Sequence, residues 1–245
     1  MNHETYLQID WEYAKENKIR VLRVYGSEPI LTLPEQLGDC TLTEIGAYCF
    51  AKSPHLPGQY HTTIWKRDQD TAWQVMAQDE DKEKLPLKEL CGSFLVELTL
   101  PEQIEKIGNL AFYDCVELRK LTIGKNMQQV GSDAFMNCHR LGCLVLQAGV
   151  REESGLRQIL AQISWDIEVT FQKDGQMEAV LFYPEYFESY DEIAPAHIFG
   201  RNIEGEGFRA RQSFLNGAVD FVQYDTIFPK ACAEENDKTL QKIVT

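Results

Sequence analysis

The chain has 245 residues, 44% hydrophobic and 11% aromatic, which is apolar material enough for one or two packed domains. Its 24 basic residues against 38 acidic ones give a net charge of -14, which argues against nonspecific binding to nucleic acid or to an anionic membrane, because phosphate contacts need clustered Lys and Arg. No stretch approaches the roughly 20 apolar residues of a membrane span.

In chain order, the first element is a strand from Ile19 to Tyr25 in KIRVLRVYG, placed to cap the open end of a stack built by the residues after it. The hexapeptide LTLPEQ comes next at Leu31–Gln36, and it recurs letter for letter at Leu98–Gln103. In the first copy, LTLPEQLGDCTLTEIGAYCF, Ile45-Gly46 and Phe50 fall in register with the later copy after five extra residues. Residues 54–89 then interrupt the pattern. RDQDTAWQVMAQDEDKEKLPLKEL suggests a short helix over Thr71–Gln78 with Asp70 as N-cap, or a charged excursion through DEDKEK.

From Leu95 the chain repeats with a period of 23: Leu95, Leu118 and Leu141; Leu98, Leu121 and Leu144; Leu100, Ile123 and Leu146. The same spacing relates Ile107 to Val130, Gly108 to Gly131, Ala111 to Ala134, Phe112 to Phe135 and Cys115 to Cys138. A fixed period in the twenties marks a solenoid, whose units must stack because none buries its apolar face alone. Each LTL or LTI is a short strand with two residues inward and one outward. Gly108 and Gly131 are expected in a backbone conformation that a side chain would oppose, and each Phe fills the core of its turn.

At these residues the chain resembles the BspA-type leucine-rich repeat, a bacterial family with the pattern I-P-x-x-V-x-x-I-G-x-x-A-F-x-x-C-x-x-L, matched here by Pro101, Ile107, Gly108, Ala111, Phe112, Cys115 and Leu118. The resemblance covers 29–53 and 90–147. It implies a leucine-rich-repeat solenoid with short parallel strands. Many members are displayed at cell surfaces, but MNHETYLQIDWEYAKENK lacks the basic start and apolar run of a signal peptide, so we expect a cytoplasmic protein, with the cell surface as the alternative.

After Gln147 the period is lost. DIEVTFQKDGQMEAVLFYPE reads as a hairpin around Lys173-Asp174-Gly175, since Asp-Gly adopts the positive φ angles of a tight turn. Beyond Pro195 the texture is helical: GFRARQSFLNG ends on a capping Gly, AVDFVQYDTIFP stops at a proline, and ENDKTLQKIVT starts on a capping Asn or Asp. The expected organisation is therefore mixed α/β, with a repeat domain at 1–147 interrupted at about 54–89 and a small α+β domain at 148–245.

The sequence has seven cysteines. An odd count, with Cys115 and Cys138 at inward repeat positions, points to reduced structural thiols. CHRLGC places Cys138, His139 and Cys143 together, but the leucine frame already explains that segment and no C-x-x-C pair exists. GEGFRA, Gly205–Ala210, formally fits G-x-G-x-x-A with Asp225 twenty residues on, yet no buried strand precedes it and Glu204 and Glu206 would repel a pyrophosphate. His55 and His61 flank LPGQY in a polar loop, and no H-E-x-x-H or G-x-S-x-G is present. No cofactor or metal site is assigned.

Two binding readings stand, with an enzyme of unrecognised type third. The first is a non-catalytic protein-interaction module whose outward strand positions, Glu97, Lys120 and Cys143, then Thr99, Thr122 and Val145, form a ladder; a solvated sheet face is the plain alternative. The second is a carbohydrate or small-ligand site in LFYPEYFESYDE, where Tyr183, Tyr186, Glu188, Tyr190 and Asp191 alternate aromatic and acidic character, although aromatics so dense also build a small domain's core. Residues 174–200 hold six acids and no Lys or Arg, so the partner of the combined surface is expected to be a protein with a basic face.

Overall fold

The computed structural model describes residues 5–52, 58–67, 73–76, 85–193 and 198–227, in two compact units, Met1–Leu141 and Gly142–Thr245. Strand dominates both, so the expected mixed α/β composition gives way to an architecture that is mostly sheet.

The first unit opens with a hairpin of β1 (Thr5–Lys15) and β2 (Lys18–Gly26). Leu7, Ile9 and Trp11 alternate with polar residues and are all buried, and Asn17, at φ 55°, makes the turn. The next elements along the chain are β3 (Ile30–Thr32), β4 (Gln36–Leu37), β5 (Cys40–Ile45), β6 (His61–Arg67), β7 (Gln74–Val75), β8 (Lys88–Glu89), β9 (Glu97–Thr99), β10 (Lys106–Ile107), β11 (Lys120–Gly124) and β12 (Gln129–Val130).

Each repeat contributes two strands where the sequence suggested one. β3, β9 and β11 form a parallel ladder with Leu31 opposite Leu98 and Leu98 opposite Leu121. β5, β10 and β12 form a second parallel ladder through Ile45, Ile107 and Val130. The five extra residues of the first copy are taken up by β4 folding back on β5 through a Gly38-Asp39 turn, with Gly38 at φ +62°. Leu31, Leu98, Leu121, Ile45 and Ile107 are all buried.

Inside, the rings of Phe50, Phe112 and Phe135 stack as a column, with centroids 5.0 and 5.2 Å apart and planes within 4° and 6° of parallel. The glycines beside this column need a different explanation from the one expected. Gly108 and Gly131 have ordinary negative φ; the left-handed residues are Tyr48, Leu110 and Asp133, two places before each Phe. What fixes the glycines is space. A Cβ on Gly108 would lie 2.4 Å from the Ala47 nitrogen, and one on Gly131 would lie 2.4 Å from that of Asn109, so successive turns meet backbone to backbone there.

The expected single capping strand is one part of a larger structure. β2 pairs in parallel with β5, β1 lies antiparallel on β2, and β6 and β7 come after it, giving the order β12-β10-β5-β2-β1-β6-β7. Part of the 54–89 interruption is thus built into the sheet. Gln74 and Val75 pair with Lys66 and Trp65, so the middle of the helix expected over Thr71–Gln78 is strand instead; Thr71, Ala72, Ala77, Gln78, the Asp70 cap and DEDKEK lie outside the described residues.

The second unit contains β13 (Cys143–Gln147), α1 (Leu156–Leu160), β14 (Ile167–Lys173), β15 (Gln176–Tyr183), β16 (Phe187–Ile193), β17 (Ile198–Glu204), α2 (Gly207–Ala210), β18 (Phe214–Leu215), β19 (Ala218–Val219) and α3 (Phe221–Asp225). β13 pairs in parallel with β14 within this unit, so the strand of the third leucine frame lies beyond the division at Leu141. β14 and β15 form the hairpin read from the sequence, turning on Asp174 at φ 50° and Gly175 at φ 76°. The helix read into GFRARQSFLNG ends early at Ala210. Asn216 and Gly217 both have positive φ and close a second hairpin, β18–β19, instead of a helix C-terminus. Asp220 caps α3 by accepting from the Gln223 N–H at 3.2 Å. ENDKTLQKIVT lies outside the described residues.

Arg211 organises this unit. It is 1% exposed and donates to the carbonyls of Ile163 and Trp165, each at 2.7 Å, and to those of Pro184, Gly207 and Tyr183 at 2.5, 2.9 and 3.4 Å. One planar donor fork thereby satisfies carbonyls from several separate stretches of chain.

Candidate interaction surface

The leucine frame places every second residue of β3, β9 and β11 inward and leaves two outward rows. Ile30, Glu97 and Lys120 lie side by side in one, and Thr32, Thr99 and Thr122 in the other. The Lys120 ammonium is 3.9 Å from the Glu97 carboxylate, and both side chains are about two-fifths exposed, so this pair is a weak surface contact. Thr99 is half-buried and Thr122 is 8% exposed. Ile30, an apolar residue at the end of its row, is 57% exposed. Cys143 and Val145, expected to continue these rows, belong to the second unit.

The aromatic and acidic segment is not the open site it looked like in the sequence. Tyr183 is fully buried and meets Tyr224 edge to face at 5.6 Å, while the Tyr224 hydroxyl donates to the Phe182 carbonyl at 2.6 Å. Tyr186 is 8% exposed, between Phe208, at 5.5 Å, and the Arg211 guanidinium, 5.2 Å over its ring. Burial pushes the hydroxyls of Tyr183 and Tyr186 up. Their rings are core material. Glu188 pairs with Arg201 across the β16–β17 hairpin, so the acidity of 174–200 is partly neutralised by the first basic residue after it. Tyr190 and Asp191 stand on β16 opposite Arg201 and Gly200.

Two surface features of the first unit gave no signal in the sequence. Trp11, Tyr13 and His61 form an aromatic cluster, His61 stacked on Trp11 at 4.6 Å with Tyr13 edge-on to both; the Trp11 indole N–H donates to Thr63 Oγ1 at 3.0 Å. His61 therefore opens a strand, and His55 lies outside the described residues. The second feature is a cleft of about 330 Å³ beside β3, walled by Thr5, Tyr6, Glu28, Arg67 and Trp73. The Arg67 guanidinium lies 4.5 Å over the Trp73 ring.

Among the described residues no group of three or more His, Cys, Asp or Glu is placed to hold a metal ion, and no helix is long and apolar enough to cross a membrane. Cys138 is buried with its thiol on a backbone carbonyl, His139 is exposed, and GEGFRA is a turn leading into the four-residue α2. The six cysteines among the described residues are free thiols. In comparison with known proteins, residues 85–154 match the family model described as BspA type leucine rich repeat region (6 copies), a stretch that holds the frames at Leu95, Leu118 and Leu141. No curated protein and no solved structure matches the chain.

Proposed function

We propose that this chain, whose residues 85–154 are a BspA-type leucine-rich repeat region, binds another protein without turnover, through the outward face of β3, β9 and β11. Repeats of this kind commonly mediate protein–protein interaction. The observation that carries the reading is the in-register placement of Ile30, Glu97 and Lys120 beside Thr32, Thr99 and Thr122 across three parallel strands. Such rows present a repeating surface on a stiff backbone, so a partner meets preorganised groups and the ordering cost of binding is small.

The net charge of -14 supports a partner with a basic surface. Tyr183 and Tyr186 add nothing to this surface, because a buried ring cannot anchor a partner without unfolding its own core. The test is binding by Thr99→Arg and Lys120→Glu variants. Both positions are accessible and neither contributes to the core, so the reading expects partner binding to fall at least tenfold, about 1.4 kcal/mol, with the melting temperature unchanged. Undiminished binding by both variants would refute it.

A further inference from the structure

We propose that the free edge of β3 takes up an extended segment of a partner protein as an added strand, and that a carboxylate of that segment seats on Arg67 in the adjoining cleft. This rests on the reading of the chain as a protein-binding module, and it names a second surface and its ligand chemistry.

β3 is the last strand of its ladder. In a parallel ladder, alternate residues of a strand bond to one neighbour and the residues between them face the other way. Toward β9, the Val96 N–H donates to the Pro29 carbonyl at 2.8 Å and the Leu33 N–H to the Thr99 carbonyl at 3.0 Å. Ile30 and Thr32 therefore turn their N–H and C=O groups to the open side, where nothing among the described residues bonds them. Exposed edges are usually blunted by a charge or a bulge. This one is short and flanked by Pro29 and Pro34, yet it has no charge of its own and carries the exposed Ile30.

The three residues of β3, Ile30–Thr32, offer too few backbone bonds to hold a strand by themselves, so an anchor is required. The cleft supplies it. Arg67 has no carboxylate partner among the described residues, and its Nε is buried without an acceptor, an uncompensated cost in a protein with a net charge of -14. An arriving carboxylate would offset the guanidinium charge from the cleft side, although the buried Nε lies beyond its reach. Glu28 lines the same cleft, with its Oε1 accepting from the Thr5 hydroxyl at 3.3 Å, and it disfavours a run of acids. The chemistry selects an extended, β-branched segment with a single acidic side chain, bound as strand addition.

The probes are short acetylated and amidated peptides of alternating Val and Thr, carrying one Asp at each position in turn, beside matched Asn peptides, with binding read by fluorescence anisotropy. At least one Asp peptide should bind roughly tenfold or more tighter than its Asn twin. Arg67→Gln should erase that preference. Thr32→Pro removes an N–H that the ladder does not use and should abolish binding with the melting temperature unchanged. Backbone N-methylation of the best peptide makes the same test on folded wild-type protein. Lys120→Glu, on the ladder face, should leave peptide affinity unchanged. Failure of every Asp peptide to bind, or binding that survives N-methylation, overturns the proposal. Partner loss in the ladder-face variants without any peptide binding overturns it too, and leaves the interaction reading standing.

Discussion

The Cys138 thiol donates to the Phe112 carbonyl oxygen at 3.0 Å, one repeat earlier in the stack, and the Cys115 thiol does the same to Phe50 at 3.1 Å. The repeated spacing of Phe and Cys is thus a tie between turns as well as a packing pattern. Phe112 has a ring on each side, whereas Phe135 has one partner in the column. Phe112→Ala should cost about 3–5 kcal/mol, and more than Phe135→Ala. Chemical denaturation of the two variants measures the difference; equal losses would show that the column carries no energy beyond burial.

Gly108→Ala is expected to destabilise by roughly 3 kcal/mol or more, because the new Cβ meets the Ala47 backbone rather than a side chain that can move. Gly58 has open space around it and no positive φ, so Gly58→Ala should stay within about 0.5 kcal/mol of wild type. Thermal melts of both variants test the contrast.

Burial pushes the thiols of Cys49, Cys115 and Cys138 up from the ordinary 9.0, Cys138 to about 12. A folded value above the unfolded one means that the fold favours the neutral thiol. That stabilisation is whole below pH 9.0 and is lost as pH rises from there toward about 12. The melting temperature should fall above pH 9, and Cys138→Ala should flatten the fall. In a thiol titration of the native protein at pH 8 these three groups should stay unreactive, and all seven cysteines should react in denaturant. Full reactivity without denaturant would contradict the buried positions.

Arg211→Met should destabilise the second unit by about 3–5 kcal/mol, since five carbonyl bonds are lost and several acceptors are left buried. Arg211→Lys should recover little of it, because a point charge cannot reproduce the fork. Hydrogen exchange should localise the loss to residues 156–227 and leave the amides of β9 and β11 protected.

How much of this was legible depends on element length. The leucine frame, the Phe column and the Asp174-Gly175 hairpin emerge from spacing and turn chemistry. The ladder of β5, β10 and β12 does not, because β10 and β12 have two residues each and a period of two needs more than that to show. Leu7, Ile9 and Trp11 did carry the alternation of β1, with Gln8 and Asp10 between them and Asn17 as its turn, but these are only three apolar positions in an otherwise polar and charged opening segment. Asn216-Gly217 was a hairpin signal read as a helix cap. In the candidate site, the ladder rows were legible because they inherit the repeat period. Tyr183 and Tyr186 were misplaced because aromatic density does not say which way a ring points, and Arg67 and Trp73 meet through tertiary structure alone.

The claim that the outward ladder face is where a partner docks is tested most directly by site-specific photo-crosslinking. A photoreactive side chain at position 99 or position 30 should capture the same single protein, and one at Met177, which is 67% exposed on the second unit, should not. Lys120→Glu, combined with the probe at position 99, should reduce the crosslink. Equal capture from positions 99 and 177, or none from 30 and 99 at concentrations where binding is measured, would contradict the account.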